Sequence, residues 1–97
     1  MTILEAVKTA LRITTNAYDG ELGLYIKAAQ ADMAVAGITY EYNESNPDEL
    51  YQAAIITYTR ARFGSPSDYD RLKACYDEQK AQLSQATGYT DYSEVEA

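Results

Sequence analysis

The chain has 97 residues and a formal net charge of −7, from fifteen acidic and eight basic side chains, and it contains no histidine. This length corresponds to one domain that can build its own core. Without histidine, neither a Ser-His nor a Cys-His nucleophile pair can be assembled. The single cysteine excludes an intrachain disulfide and a thiolate zinc site.

The negative charge is concentrated in two segments. Residues 39–49 hold four carboxylates and no base, and residues 87–97 hold three carboxylates and no base. The remaining segments are nearly balanced. A phosphate-binding surface needs a concentrated positive field, so we expect no sequence-specific nucleic-acid partner.

The N-terminus has no basic-then-apolar leader, and the apolar runs are too short to cross a bilayer. We therefore expect no membrane partner and a protein that is made in a reducing cytoplasm.

The first predicted helix covers about residues 2–12. Thr2 and Glu5 have the spacing of a capping box, in which each side chain binds the other residue's backbone N–H. The second helix is predicted to begin with Asp19 as its N-cap and to end at Gly37.

Residues 38–47 alternate between apolar and polar side chains and then reach turn-forming residues. We interpret this segment as a loop, because a lone strand has nothing in this chain to pair with. The third helix is predicted to open at Asn46 or Pro47 and to stop at Gly64. It is apolar on more than one side, which predicts a central, buried position.

The fourth helix is predicted from about 67 to 86, with Cys75 as a small buried hydrophobe. The preceding Ser65-Pro66-Ser67-Asp68 is predicted both to break helix three and to cap helix four. The helical domain then covers residues 1–86. Residues 87–97 form a flexible acidic C-terminal tail that we expect to order only on assembly. The predicted fold is all-α, a small bundle of four helices with a long loop between helices two and three.

Charged groups along the helices have structural interpretations. The carboxylates at 48–49, 68–70 and 77–78 lack the spacing of a calcium loop, so no metal site is predicted. Four basic residues flank the turn between helices three and four: Arg60, Arg62, Arg71 and Lys73. They either form a patch for an acidic partner or, as we favour, pair with Asp68 and Asp70 within the turn.

Four tyrosines are the candidate protein-binding residues: Tyr40 and Tyr42 in the loop, and Tyr89 and Tyr92 in the tail. Aromatic side chains on flexible, acidic segments are typical of sequences that anchor on a partner. The alternative is that the tail folds back onto its own domain. No catalytic, cofactor-binding or metal-binding residue is predicted.

Three stretches share an order and spacing that point to a family. They are Leu4-Glu5 with Val7-Lys8 and Leu11-Arg12-Ile13; Asp19, Leu22 and Ile26-Lys27-Ala28-Ala29; and Pro47, Leu50, Ala53-Ala54-Ile55 and Tyr58. Together, over residues 3–64, they resemble the head–tail connector (adaptor) family of tailed bacteriophages, whose members are also described as DNA-packaging proteins of phages and prophages.

The resemblance implies a structural, non-catalytic protein of the virion neck that is assembled in the bacterial host cytoplasm. It would form a closed head-to-tail ring with copies of itself. Its other partners would be the portal protein and a tail-completion or stopper protein. Because the genome would pass through the ring, carboxylates that line the channel would repel its phosphates. Glu41 and Glu44 are the candidate channel-facing residues.

Two other functions remain alternatives. A small acidic inhibitor or regulatory protein-binding module that mimics DNA would need regularly spaced carboxylates along a helix, whereas these helices are nearly charge-balanced. A helix-turn-helix at Gly64 to Asp68 would place Asp68 and Asp70 against phosphates. An enzyme is not expected, because no nucleophile–base pair is present.

Overall fold

The computed structural model describes residues 1–64, 67–86 and 89, and it has four α-helices. In chain order they are α1 (Ile3–Leu11), α2 (Asp19–Val35), α3 (Glu49–Arg62) and α4 (Tyr69–Gln85). The predicted all-α bundle is confirmed, including the long loop between α2 and α3. The predicted breaker Ser65-Pro66 lies outside the described residues.

Helix α1 begins with the predicted capping box. The Glu5 N–H donates to the Thr2 hydroxyl at 3.0 Å, and the Thr2 N–H donates to the Glu5 carboxylate at 2.7 Å. Hydrogen bonds from the backbone N–H and then the hydroxyl of Thr2 to the Glu5 carboxylate lower the pKa of Glu5. The helix ends at Arg12, which has a left-handed φ of 60° and whose N–H donates to the carbonyls of Lys8 and Thr9.

Asp19 does not cap α2, which corrects the prediction. It is the first helical residue, and the capping position belongs to Tyr18, whose side chain makes no capping hydrogen bond. The Asp19 carboxylate instead lies 2.9 Å from the Lys8 ammonium group and so joins α1 to α2. The predicted end is confirmed: Gly37 has a φ of 90°, and the Ile38 N–H donates to the Met33 carbonyl at 3.0 Å.

Helix α3 is the centre of the domain, as its apolar residues on several sides predict. It contacts α1, α2 and α4. Two of its six buried residues are threonines. The six are Tyr51, Ala54, Ile55, Thr57, Thr59 and Ala61. The hydroxyls of both threonines donate to carbonyls four residues earlier in α3, at 3.0 and 2.9 Å, so burial leaves neither group unsatisfied.

Helix α4 packs mainly on α3. It buries Leu72, Tyr76 and Leu83. Asp68 precedes the helix without capping it and forms an ion pair with Arg71.

The prediction that Cys75 is buried is wrong, because its side chain is exposed. Since α4 is covered chiefly on its α3 side, only a narrow face of the helix is buried, and Cys75 lies beside that face.

We expect Ile55→Ala to lower the free energy of unfolding by about 2–5 kcal/mol, because Ile55 is fully buried in the central helix and truncation leaves a cavity. Urea unfolding of both proteins measures the difference. Val35→Ala is the control: its side chain is 88% exposed, so its effect should stay within about 0.5 kcal/mol. Similar losses for the two variants would contradict a core centred on α3.

Candidate assembly surface

Two of the four candidate tyrosines lie together at one end of the domain. The ring centroid of Tyr40 is 4.8 Å from that of Tyr51 in α3 and 5.7 Å from that of Tyr89. Tyr40 and Tyr89 are both half-buried against the core. Tyr89 thus packs on its own domain, in agreement with the alternative in which the tail folds back.

The backbone after α2 is also joined to Tyr89. The N–H groups of Thr39 and Tyr40 donate to the Tyr89 carbonyl at 2.8 and 3.3 Å. The expectation that this segment has nothing in its own chain to pair with is therefore wrong. The chain returns to this segment after α4, over a separation of fifty residues that no local pattern reveals.

Asp48 connects the loop, α3 and Tyr89. Its carboxylate caps α3 by accepting from the N–H groups of Leu50 and Tyr51, at 3.0 and 3.2 Å. The Tyr89 hydroxyl donates to the same carboxylate, 2.9 Å from Oδ1. This hydrogen bond, followed by burial and the charge of Asp48, raises the pKa of Tyr89 to about 12.

Tyr42 lines a shallow pocket together with Tyr40 and Tyr51 of this cluster. Its hydroxyl donates to the Gln52 side-chain oxygen at 2.9 Å and is 3.3 Å from the Met1 carbonyl. Burial is the first cause of its raised pKa. The fourth candidate, Tyr92, lies outside the described residues.

The two acidic candidates of the loop, Glu41 and Glu44, are exposed. The only contact found for Glu44 within the described residues is its backbone carbonyl, 3.4 Å from the Met1 amino group. Their carboxylates thus face solvent next to the tyrosine cluster, where a partner or a neighbouring copy can reach them.

A second polar cluster, which no pattern in the sequence predicted, joins α2 to α4. The Asp32 carboxylate accepts from the Tyr76 hydroxyl at 2.7 Å and from the Lys80 ammonium group at 2.9 Å. Burial acts to raise the pKa of Asp32, but these two hydrogen bonds and the charge of Lys80 lower it. The only available signal was the period of Tyr76 and Lys80 on α4, which does not identify a partner on another helix.

The four basic residues near the α3–α4 turn do not form one patch. Arg60 donates to the Ala10 carbonyl of α1 at 3.2 Å, and the Arg62 guanidinium lies 3.6 Å from the Tyr58 ring centroid. Arg71 pairs with Asp68 and Lys73 with Asp77. The favoured interpretation, pairing within the turn, is confirmed for Arg71.

The described residues contain no group of three metal-binding side chains. In the same part of the chain, no helix is long and apolar enough to cross a membrane. What the site offers is a surface of tyrosines and carboxylates on a small helical scaffold, which suits binding to protein. The class that the fold defines is a small all-α protein of four helices in its described residues.

Comparison with known families identifies the group within that class. A family model described as phage connector protein matches residues 3–90. No curated protein and no solved structure gives a significant match. The match covers most of the chain, which therefore belongs to the phage connector protein family, and its role is that of a structural connector in a phage. The resemblance found over residues 3–64 is confirmed and extends through α4.

We expect the hydroxyl of Tyr89 to titrate near pH 12, because the folded protein keeps the proton that the Asp48 carboxylate accepts as a hydrogen bond. The folded-state pKa lies above the ordinary value of 10. The stabilisation of the folded state by the Tyr89–Asp48 hydrogen bond is therefore complete below pH 10 and is lost as the pH rises through about 12. Tyrosinate absorbance against pH, for the wild type and Tyr89→Phe, measures this.

Asp48→Asn provides the control for that titration. It removes the charge but keeps an oxygen that can cap α3, so the pKa of Tyr89 should fall back towards 10 while the helix persists. The difference between the wild-type and Tyr89→Phe titrations gives the pKa of Tyr89. A value near 10 in the wild type would contradict the hydrogen bond between Tyr89 and Asp48.

Proposed function

We propose that this chain forms a closed ring of identical copies that joins the portal of the phage head to a tail-completion or stopper protein. The observation that carries the proposal is the phage connector match over residues 3–90. A connector must present one surface to its own copies and others to head and tail proteins. A ring built head to tail meets that need, because each copy uses two different surfaces on its neighbours.

The exposed carboxylates support a location at the DNA channel. Glu41 and Glu44 lie in the loop between α2 and α3 and are exposed, in a segment without any basic residue. In the ring, this loop faces the channel, and its negative field keeps DNA from adhering to the wall. The tyrosines beside the loop supply the contact area for a head or tail protein.

Sedimentation velocity over a wide concentration range, with and without portal from the same phage, tests the ring. We expect ring-sized species or cosedimentation with portal, because a portal surface collects and orients the copies. An unrelated acidic protein of similar mass serves as the control for non-specific binding to portal. A chain that stays monomeric at every concentration and ignores portal would contradict the proposal.

Charge reversal tests the channel. We expect phage carrying Glu41→Lys and Glu44→Lys to eject DNA more slowly or to retain it, because lysines at the wall attract phosphates. The matched control is Glu41→Gln with Glu44→Gln, which keeps side-chain size and should have a smaller effect. The readout is the rate of DNA release from purified particles. Unchanged release from the lysine variant would rule out a channel position for this loop.

A further inference from the structure

Helix α2 is apolar on two opposite sides. Its core side buries Leu22, Ile26, Ala29 and Met33. The other side carries a stripe at spacings of four, three and four residues, which we call the α2 ridge: Leu24, Ala28, Ala31 and Val35. At about 100° per residue, this stripe points almost directly away from the core side.

The α2 ridge is exposed along its whole length. Leu24 is 70% exposed and Val35 is 88% exposed, and both alanines are exposed as well. A helix at the surface of an isolated domain normally presents polar residues to solvent, whereas a helix that is apolar all round is covered on both sides. Nothing within residues 1–64, 67–86 or 89 covers this ridge.

A complementary surface lies between α3 and α4. It is a groove of about 390 Å³, which we call the α3–α4 groove, and its lining is mainly apolar. It is lined by Leu50, Ala53, Gln79, Gln82, Leu83, Ala86 and Tyr89. Leu50 is 61% exposed at its edge. The side-chain oxygen of Gln79 is buried there and has no hydrogen-bond donor within the described part of the chain.

The groove lies on a different side of α4 from the flank that faces α2. On α4, Lys80 reaches Asp32 of α2, so the Lys80 flank is the one that faces α2. The lining residues Gln79, Gln82 and Ala86 lie about 100–160° around the helix from Lys80, and the buried Leu83 lies about 60° from it. A copy cannot cover its own groove with its own ridge, but neighbouring copies can do so in succession.

One edge of the ridge is opposite in charge to the groove. Lys27 lies on that edge and is exposed, whereas the exposed Glu21 lies on the other edge. Glu49 and Glu78 are exposed beside the groove, four residues from the lining residues Ala53 and Gln82. Lys27, Glu49 and Glu78 form no ion pair within the described residues.

We propose that the α2 ridge of one copy packs into the α3–α4 groove of the next copy, with Lys27 facing Glu49 and Glu78. A second copy is the occupant that fits, because this chain carries both halves of an apolar and electrostatic match. The small residues Ala28 and Ala31 at the middle of the ridge allow the helices to approach closely. The contact is heterologous, so it generates a ring when the rotation closes. The inference rests on the proposed ring and names its subunit interface.

Interchain disulfides test the interface directly. Cys75→Ser first removes the only native thiol. One preparation then carries Ala31→Cys in the ridge and the other Ala53→Cys in the groove, and they are mixed, assembled with portal and mildly oxidised. We expect a mixed disulfide that neither preparation gives alone. As a control, Ala81→Cys replaces Ala53→Cys, because Ala81 is exposed on α4 but does not line the groove.

Charge reversal tests the same contact without cysteines. Lys27→Glu places like charges together and should lower the assembled fraction about tenfold or more. Adding Glu49→Lys and Glu78→Lys should restore most of it. Thermal unfolding of each variant checks that the exposed substitutions leave the fold intact.

The outcomes separate this interface from the ring itself. Normal assembly of Lys27→Glu, or equal crosslinking of the Ala53→Cys and Ala81→Cys preparations, would overturn the interface while leaving the ring intact. A further variant adds Val95→Cys to the Ala53→Cys chain. If it forms an intrachain disulfide in place of the interchain product, the interface is also overturned, because the C-terminal segment and not a neighbouring copy would then occupy the groove. A wild-type chain that never assembles with portal would overturn the ring and the interface together.

Discussion

The burial of α3 is the constraint on which the rest of the structure depends. It packs against each of the other three helices and shares its most extensive contact with α4, and residues such as Ile55 and Ala54 are fully buried from water. A helix packed on three sides leaves little free surface for a partner, and part of it lies at its start, where Leu50 is exposed. The surfaces open to a partner are therefore the outer side of α2, the α3–α4 groove and the loop before α3.

Asp48, at the start of α3, ties these parts together. The same carboxylate caps α3 and accepts a hydrogen bond from the Tyr89 hydroxyl, so Tyr89 is held at the N-terminal end of the central helix. Tyr40 lies between Tyr51 and Tyr89 in the same cluster. The exposed Glu41 follows Tyr40 directly in sequence, so the acidic loop is fixed at its start to the core.

Features that depend on neighbouring residues were predictable from the sequence. The Thr2–Glu5 capping box and the Gly37 helix end need only local spacing, and the central position of α3 follows from its apolar period. Features that depend on distant residues were not. The Tyr89–Asp48 hydrogen bond joins residues 41 apart, and the role of Asp19 depends on Lys8 in another helix. Cys75 fits an apolar period, but whether that side of α4 is covered depends on the packing of the whole bundle.

The central claim is that copies of this chain close into a ring on the phage portal. Electron cryomicroscopy of the chain assembled with portal measures this most directly. The account predicts a closed ring coaxial with the portal, with one four-helix domain per copy and the loop of Glu41 and Glu44 towards the channel. Copies bound singly at the outside of the portal, with no contact between neighbours, would contradict it.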